Sequence, residues 1–118
     1  EVAIADVRKA ADMFRNDKIN IPILGLVENM AWFTPPELPG SKYFIFGKGG
    51  GELFATELNV PLLGQIPIQQ CIVDSGDSGN PVAADEASPG SSSFGELAEK
   101  VAQQVAISNA IRETFGVK

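Results

Sequence analysis

Residues Ile21 to Met30 read IPILGLVENM, and the way this run ends decides the fold. Ile21, Ile23, Leu24, Leu26 and Val27 leave no polar face on an extended segment, so a strand here must be covered on both sides, as in a parallel sheet flanked by helices. The run then stops in Glu28 and Asn29. In open α/β sheets ligands bind beyond the carboxyl ends of the strands, which makes Asn29 the first candidate for a binding residue. The competing reading is that Asn29 merely turns the chain.

Upstream, Ala3, Val7, Ala10, Ala11 and Phe14 recur at helical spacing with Asp6, Arg8, Lys9 and Asp12 between them, which predicts an amphipathic helix from Val2 to Phe14. Asn16 to Asn20 connect it to the strand, and Pro22 is tolerable near a strand's start. Helix, short loop and buried strand make half of a βαβ unit.

Downstream, Thr34 to Gly40 (TPPELPG) holds three prolines and a glycine and cannot continue a regular element. It forms an excursion loop, and Tyr43-Phe44-Ile45-Phe46 bring the chain back as a short strand or a docked loop. The apolar residues bracketing the loop are either a local core or a partner surface. Gly47-Lys48-Gly49-Gly50-Gly51 then opens a helix whose Leu53, Phe54 and Leu58 share a face. A glycine run at a helix start can cradle phosphate. The P-loop pattern G-x-x-x-x-G-K-[ST], however, places Lys and a hydroxyl after the glycines, whereas Lys48 lies inside the run. The other reading is a structural turn and helix start.

Val60 to Pro67 (VPLLGQIP) reads as a second buried strand, joined to the first by a right-handed crossover and parallel to it. Pro67 and Ile68 stand at its carboxyl edge as Asn29 stands at the edge of the first. Gln69 to Val73 allow a helical turn. Asp74 to Pro81 (DSGDSGNP) is dense in turn formers, either a surface loop or one that folds over a ligand. A small-residue linker, Ala87 to Ser93, leads into a helix capped at Ser92 or Ser93 and running to about Glu113. Its expected buried side is Phe94, Leu97, Val101, Val105 and Ile111, and Gly116-Val117-Lys118 is expected to fray.

The 118 residues suit one small domain or part of a larger one, and a helical pattern beginning almost at Glu1 suggests a piece of a longer protein. With 44% hydrophobic and 20% charged residues the composition is that of a folded chain. Fifteen acidic against nine basic residues give a net charge of -6, and no Lys or Arg run interrupts it. No nucleic acid and no anionic membrane are therefore expected as partners. The single Cys71 forms no internal disulfide, and no apolar run has the length of a spanning helix. A reducing, cytoplasmic setting is expected, with Cys71 a packed thiol. The absence of His removes the commonest general base and metal ligand.

The motifs Gly25-Leu26-Val27-Glu28-Asn29-Met30, Ile45-Phe46-Gly47-Lys48-Gly49-Gly50, Gly64-Gln65-Ile66-Pro67 and Gly76-Asp77-Ser78-Gly79-Asn80-Pro81 follow one another in this order. In that order the chain resembles, over nearly its whole length, the C-terminal half of the Mrp/ApbC family. These are deviant P-loop ATPases related to MinD and ParA and described as iron-sulfur cluster carriers. The resemblance implies a three-layer P-loop NTPase-like α/β fold, a parallel sheet flanked by helices, present here as the C-terminal part of a single ATPase domain. It implies ATP as ligand, with the P-loop, the switch segments and the magnesium-linked acid upstream of Glu1. Within this chain, Asn29 matches the family Asn whose amide faces the adenine edge, and Pro67 and Ile68 match the segment that packs against the base. No catalytic and no metal-binding residue is assigned here, so the piece alone is not expected to hydrolyse ATP.

One departure stands out. In the resembling family the loop after the ENM stretch usually carries a C-x-x-C pair, and two chains of a dimer supply four thiolates to a bridging cluster. Here that loop reads Phe33-Thr34-Pro35-Pro36-Glu37-Leu38-Pro39-Gly40. Three functions remain in view. The first is an ATP-binding iron-sulfur carrier or assembly factor, a homodimer serving iron-sulfur apoproteins. The second is a MinD/ParA-like positioning ATPase, although Arg112 and Lys118 are the only cations of the tail and give little grip on lipid or DNA. The third is a scaffold or interaction module whose loop, Trp32 to Phe46, docks a partner or a second chain.

Overall fold

The computed structural model of the protein describes residues 2–115. The elements in order are α1 (Val2–Arg15), β1 (Leu26–Phe33), α2 (Gly50–Leu58), β2 (Leu62–Ile68), α3 (Gln70–Ser78), a 3-10 turn (Val82–Ala84) and α4 (Ser91–Phe115). β1 and β2 pair in parallel, so the architecture is α/β, a parallel sheet flanked by helices, consistent with a P-loop NTPase-like fold. The expected fraying of Gly116 to Lys118 lies outside the described residues.

The first strand sits later than the apolar run predicts. Pro22 has no N–H to give to a ladder, and the Ile21 N–H donates back to the Phe14 carbonyl at 2.8 Å, tying this segment to α1. The Leu26 N–H reaches the neighbouring segment, donating to the Pro61 carbonyl at 2.9 Å. The strand also continues past Asn29. Between Asn29↔Ile66 and Phe33↔Ile68, β1 advances four residues while β2 advances two, a bulge that absorbs the excess. Met30 lies inside it with φ 55.

The core joins α1, α2 and the sheet through buried Ala11, Phe54 and Leu58, with Ile4, Ile23, Leu26 and Val60 packed against them. Removing the Phe54 side chain from water contributes on the order of 2–3 kcal/mol. Along α1 Ala11 is buried and Ile4 and Ala10 are half-buried, whereas Ala3, Val7 and Phe14 of the predicted face remain exposed. Arg8 explains part of this orientation. Its guanidinium grips Glu57 of α2 with two 2.9 Å hydrogen bonds and lies 5.6 Å from the Phe54 ring centroid. The bond from Arg8 and its positive charge hold the Glu57 carboxyl below its ordinary range. Arg15 donates to the Leu58 carbonyl at the end of α2 at 2.6 Å.

Two other expectations are corrected. The DSGDS stretch is not loop: α3 continues to Ser78. Gln70 donates to Asp74 one turn on at 2.9 Å, and the Ser75 hydroxyl donates to the Ile72 carbonyl at 2.8 Å. The turn formers are thus consumed within a helix, which Gly79 ends at φ 75. In α4, which starts at Ser91, Phe94 and Leu97 are half-buried, whereas Val101, Val105 and Ile111 stay exposed. α4 packs on β2 and the 3-10 turn, and its later turns only border an open groove against Asn20 to Leu24.

Candidate functional site

The two strands run in parallel, so their carboxyl ends lie together at one edge of the sheet. Asn29 is exposed on β1 opposite Ile66 of β2, one ladder pair before the terminal Phe33–Ile68 pair. Its side-chain oxygen accepts the N–H of Met30 at 2.9 Å. Ile68 ends β2 half-buried, and its carbonyl accepts the Thr34 N–H at 3.1 Å. Pro67, between them, is buried. Side chains alternate along a strand, so Ile66 and Ile68 share a face that Pro67 does not. Ile68 stands at the carboxyl edge of the sheet with Pro67 buried before it, whereas Asn29 is exposed within β1, four residues short of its end at Phe33, because the strand continues past it.

Glu28 is the residue whose role the sequence pattern left unread. Its carboxylate accepts the Gly51 N–H at 3.2 Å and the Gln65 amide at 3.0 Å, joining β1, β2 and the first turn of α2. The one available signal was the E-N order at the strand end, which marks a polar terminus without naming its partners. The glycine run takes its meaning from this contact. Gly49 caps α2 in the left-handed region at φ 84, and a Cβ on Gly51 would fall 2.8 Å from a Glu28 carboxylate oxygen. The amino end of α2 already faces an internal anion, which favours the turn-and-helix reading over a phosphate cradle.

The excursion loop is docked, not a strand. Phe33 and Tyr43 exchange hydrogen bonds of 2.7 and 2.9 Å in an isolated antiparallel bridge. Trp32 meets Phe44 with ring centroids 6.2 Å apart, and the ammonium of Lys42 lies 4.1 Å from the Trp32 centroid. Lys48 lies 5.1 Å from that of Phe44. Tyr43, Ile45 and Phe46 of the same segment stay exposed. Cys71, at the start of α3, is half-buried, 3.9 Å from the Gln69 side-chain oxygen. Its sulfur also lies beside Gly90, 3.2 Å from where a Cβ there would stand.

Two concavities flank the sheet. One of about 550 Å³ lies at the amino end of the strands against α4. The other, of about 310 Å³, lies between Trp32, Gln65, Glu96 and Lys100. Neither is lined by Asn29, Pro67 or Ile68.

The profile of a family described as NUBPL iron-transfer P-loop NTPase matches residues 1–105. The chain belongs to this family. A Synechocystis protein named iron-sulfur cluster carrier protein is 42% identical over 105 residues, covering 89% of this chain and 28% of the relative. An Aquifex aeolicus protein of the same name is 46% identical over 82 residues, covering 70% and 22%. The iron-sulfur cluster transfer protein NUBPL of Dictyostelium discoideum is 36% identical over 110 residues, covering 92% and 33%. The chain therefore spans a third or less of the length of these relatives.

Against the cargo in those names, the donor set here is thin. Cluster irons are held chiefly by several thiolates, and this NUBPL-type chain has one Cys. Among the described residues no group of three or more Cys, Asp or Glu could hold a metal ion. These residues do not fit a cluster by themselves, and no step of cluster chemistry follows from them. Among the described residues, no helix is long and apolar enough to cross a membrane.

Proposed function

We propose that this chain supplies the base-facing side of the ATP site of an iron-sulfur cluster carrier. The observation that carries the reading is the exposed Asn29 amide on β1, opposite Ile66 and two residues before the end of β2, in a member of a P-loop NTPase family. An amide has donors and an acceptor with which to meet a purine edge, and Ile68 supplies apolar surface beside it. The triphosphate and its magnesium are then held by a P-loop and acids beyond these residues, since the glycine run here faces Glu28. In this reading the carrier is cytoplasmic, hydrolyses ATP only as the complete protein, and hands clusters to iron-sulfur apoproteins as a homodimer. Titrating the 118-residue chain with a fluorescent adenosine nucleotide tests the base-facing role. Saturable binding, displaced about equally by ATP, ADP and adenosine, is expected; no displaceable binding ends the reading.

A second role is favoured by the exposed Tyr43, Ile45 and Phe46 of the docked loop. Held in place by the tilted Trp32–Phe44 contact, this surface is a contact face for the second chain of the dimer or for a client. The experiment that separates this role from nucleotide binding is a Trp32 substitution, taken up below.

A further inference from the structure

The charge of -6 belongs to the whole chain, and by itself it predicts no anionic membrane as a partner. That charge is not spread evenly. From Leu38 to Gly51 the sequence holds Lys42 and Lys48 and no acid, and between the two lysines stands Tyr43-Phe44-Ile45-Phe46. Phe44 turns in against Trp32, with ring centroids 6.2 Å apart, and the Phe33–Tyr43 bridge ties the segment to the end of β1. The fold leaves the others uncovered: Tyr43 is 48% exposed, Ile45 60% and Phe46 73%. The two ammonium groups lie over the inner rings, Lys42 4.1 Å from the Trp32 centroid and Lys48 5.1 Å from that of Phe44. Among the described residues the one salt bridge is Arg8–Glu57, so neither lysine is spent on a carboxylate.

Outward aromatic and aliphatic side chains with lysines beside them suit a lipid–water boundary, where rings sit at headgroup level and ammonium groups reach lipid phosphates. Neither concavity beside the sheet is lined by this segment. A protein partner would therefore have to bring a matching cleft for each exposed side chain, whereas a lipid interface takes them without one. Taking this surface as a contact face, as proposed above, we infer that the loop from Lys42 to Lys48 docks on an anionic lipid bilayer. Tyr43, Ile45 and Phe46 enter the headgroup boundary, and Lys42 and Lys48 meet the lipid phosphates. The attachment is peripheral, since among the described residues no helix is long and apolar enough to cross a membrane. The same bilayer repels the acidic remainder of the chain, which leaves this loop as the end that approaches.

Co-sedimentation of the 118-residue chain with vesicles tests this, with an equal mixture of phosphatidylcholine and phosphatidylglycerol set beside phosphatidylcholine alone. Binding to the mixed vesicles, little to the neutral ones, and release by added salt are expected. Lys42→Gln and Lys48→Gln are each expected to bind the mixed vesicles roughly 5-fold more weakly, and Lys9→Gln, on α1, to bind as wild type. Phe46→Ser changes a side chain that the fold leaves in solvent, so it is expected to fold normally and bind about 10-fold more weakly. Equal binding to both vesicle types, binding to neither, or a loss in Lys9→Gln as large as in the loop variants overturns the inference. So does capture of the chain by immobilised poly-glutamate through Lys42 and Lys48 without vesicle binding, which makes the partner an acidic polypeptide. Self-association in lipid-free buffer reports on the second-chain role, so that role and the lipid contact can fail separately.

Discussion

The carboxylate of Glu28 accepts the N–H of Gly51 at 3.2 Å, so the strand that carries the candidate site also caps the helix behind it. The same carboxylate takes the Gln65 amide at 3.0 Å. Three elements therefore meet on one ionised group, and their relative positions depend on its having room. A Cβ on Gly51 would stand 2.8 Å from Oε2 and 3.1 Å from Cβ of Glu28, whereas one on Gly50 would meet only the Ile4 side chain, at 3.6 Å.

These neighbours in one helical turn should respond oppositely to alanine. Gly→Ala within a helix stabilises by roughly 0.5–1 kcal/mol when nothing obstructs it, and Gly50→Ala is expected to do so. Gly51→Ala must displace the carboxylate and forfeit its charge-assisted bonds, a loss of about 1.5–3 kcal/mol that outweighs the helical gain. Urea unfolding of both variants checks the pair. Equal stabilisation would mean that Glu28 moves aside without cost.

Much of this arrangement was legible and some of it could not be. The apolar run before Glu28 pointed to a parallel pair with helices around it, and that pair is present, although Ile21 and Val27 stay exposed and do not have the cover on both sides that the run implied. Asn59, ending α2 in the left-handed region at φ 57, is the kind of residue that tolerates that conformation. The strand's true start was hidden because Ile21 spends its N–H on Phe14, a contact between segments that no local pattern encodes. Asp74 to Ser78 misled for a related reason: turn formers stay helical where Gln70–Asp74 and Ser75–Ile72 bonds hold the turn. At the site, the order of elements placed Pro67 and Ile68 at the end of β2, but put Asn29 at the end of a strand that in fact runs on to Phe33. The Glu28–Gly51 contact and the orientation of the Asn29 amide required coordinates.

The docked loop offers a separation of roles. Trp32 is half-buried, stacked near Phe44 and covered by Lys42 at 4.1 Å. Trp32→Ala removes an aromatic contact and a cation–π contact and should cost about 1–3 kcal/mol. Limited proteolysis is expected to cut faster between Thr34 and Tyr43, with Trp32→Phe restoring part of the protection. Self-association, measured by sedimentation, should weaken in Trp32→Ala while nucleotide affinity holds. Parallel loss of both would show that the loop and the nucleotide edge act as one unit.

The Arg8–Glu57 pair gives stability a dependence on acid. The hydrogen bond from Arg8, followed by its charge, lowers the Glu57 carboxyl, so the folded state binds this proton less readily than the unfolded chain. The contribution is therefore present in full above the ordinary carboxylate range and lost as pH falls through the lowered value. Both side chains are about half exposed, at 47% and 51%, so the effect is small and screened by salt. Wild type should exceed Glu57→Gln in thermal stability at neutral pH, and the gap should close on acidification and narrow at high salt. A gap that widens in acid would contradict the pairing.

Cys71 bears on whether these residues take part in holding cluster. Its sulfur sits where a Cβ on Gly90 would be 2.9 Å from Ile72, 3.2 Å from the sulfur itself and 3.2 Å from Val82, so the thiol belongs to the packing between α3 and the 3-10 turn. Drawing it out to a metal would open that packing, and two copies of the chain would still bring only two thiols where four are usual. Incubated anaerobically with iron, sulfide and a thiol-free reductant, the 118-residue chain is therefore expected to stay far below one cluster per dimer. Cys71→Ala should leave the bound iron unchanged and cost on the order of 1 kcal/mol in urea. A stoichiometric cluster, seen as a charge-transfer band that Cys71→Ala abolishes, would instead make this thiol a ligand and require α3 to yield when the metal arrives.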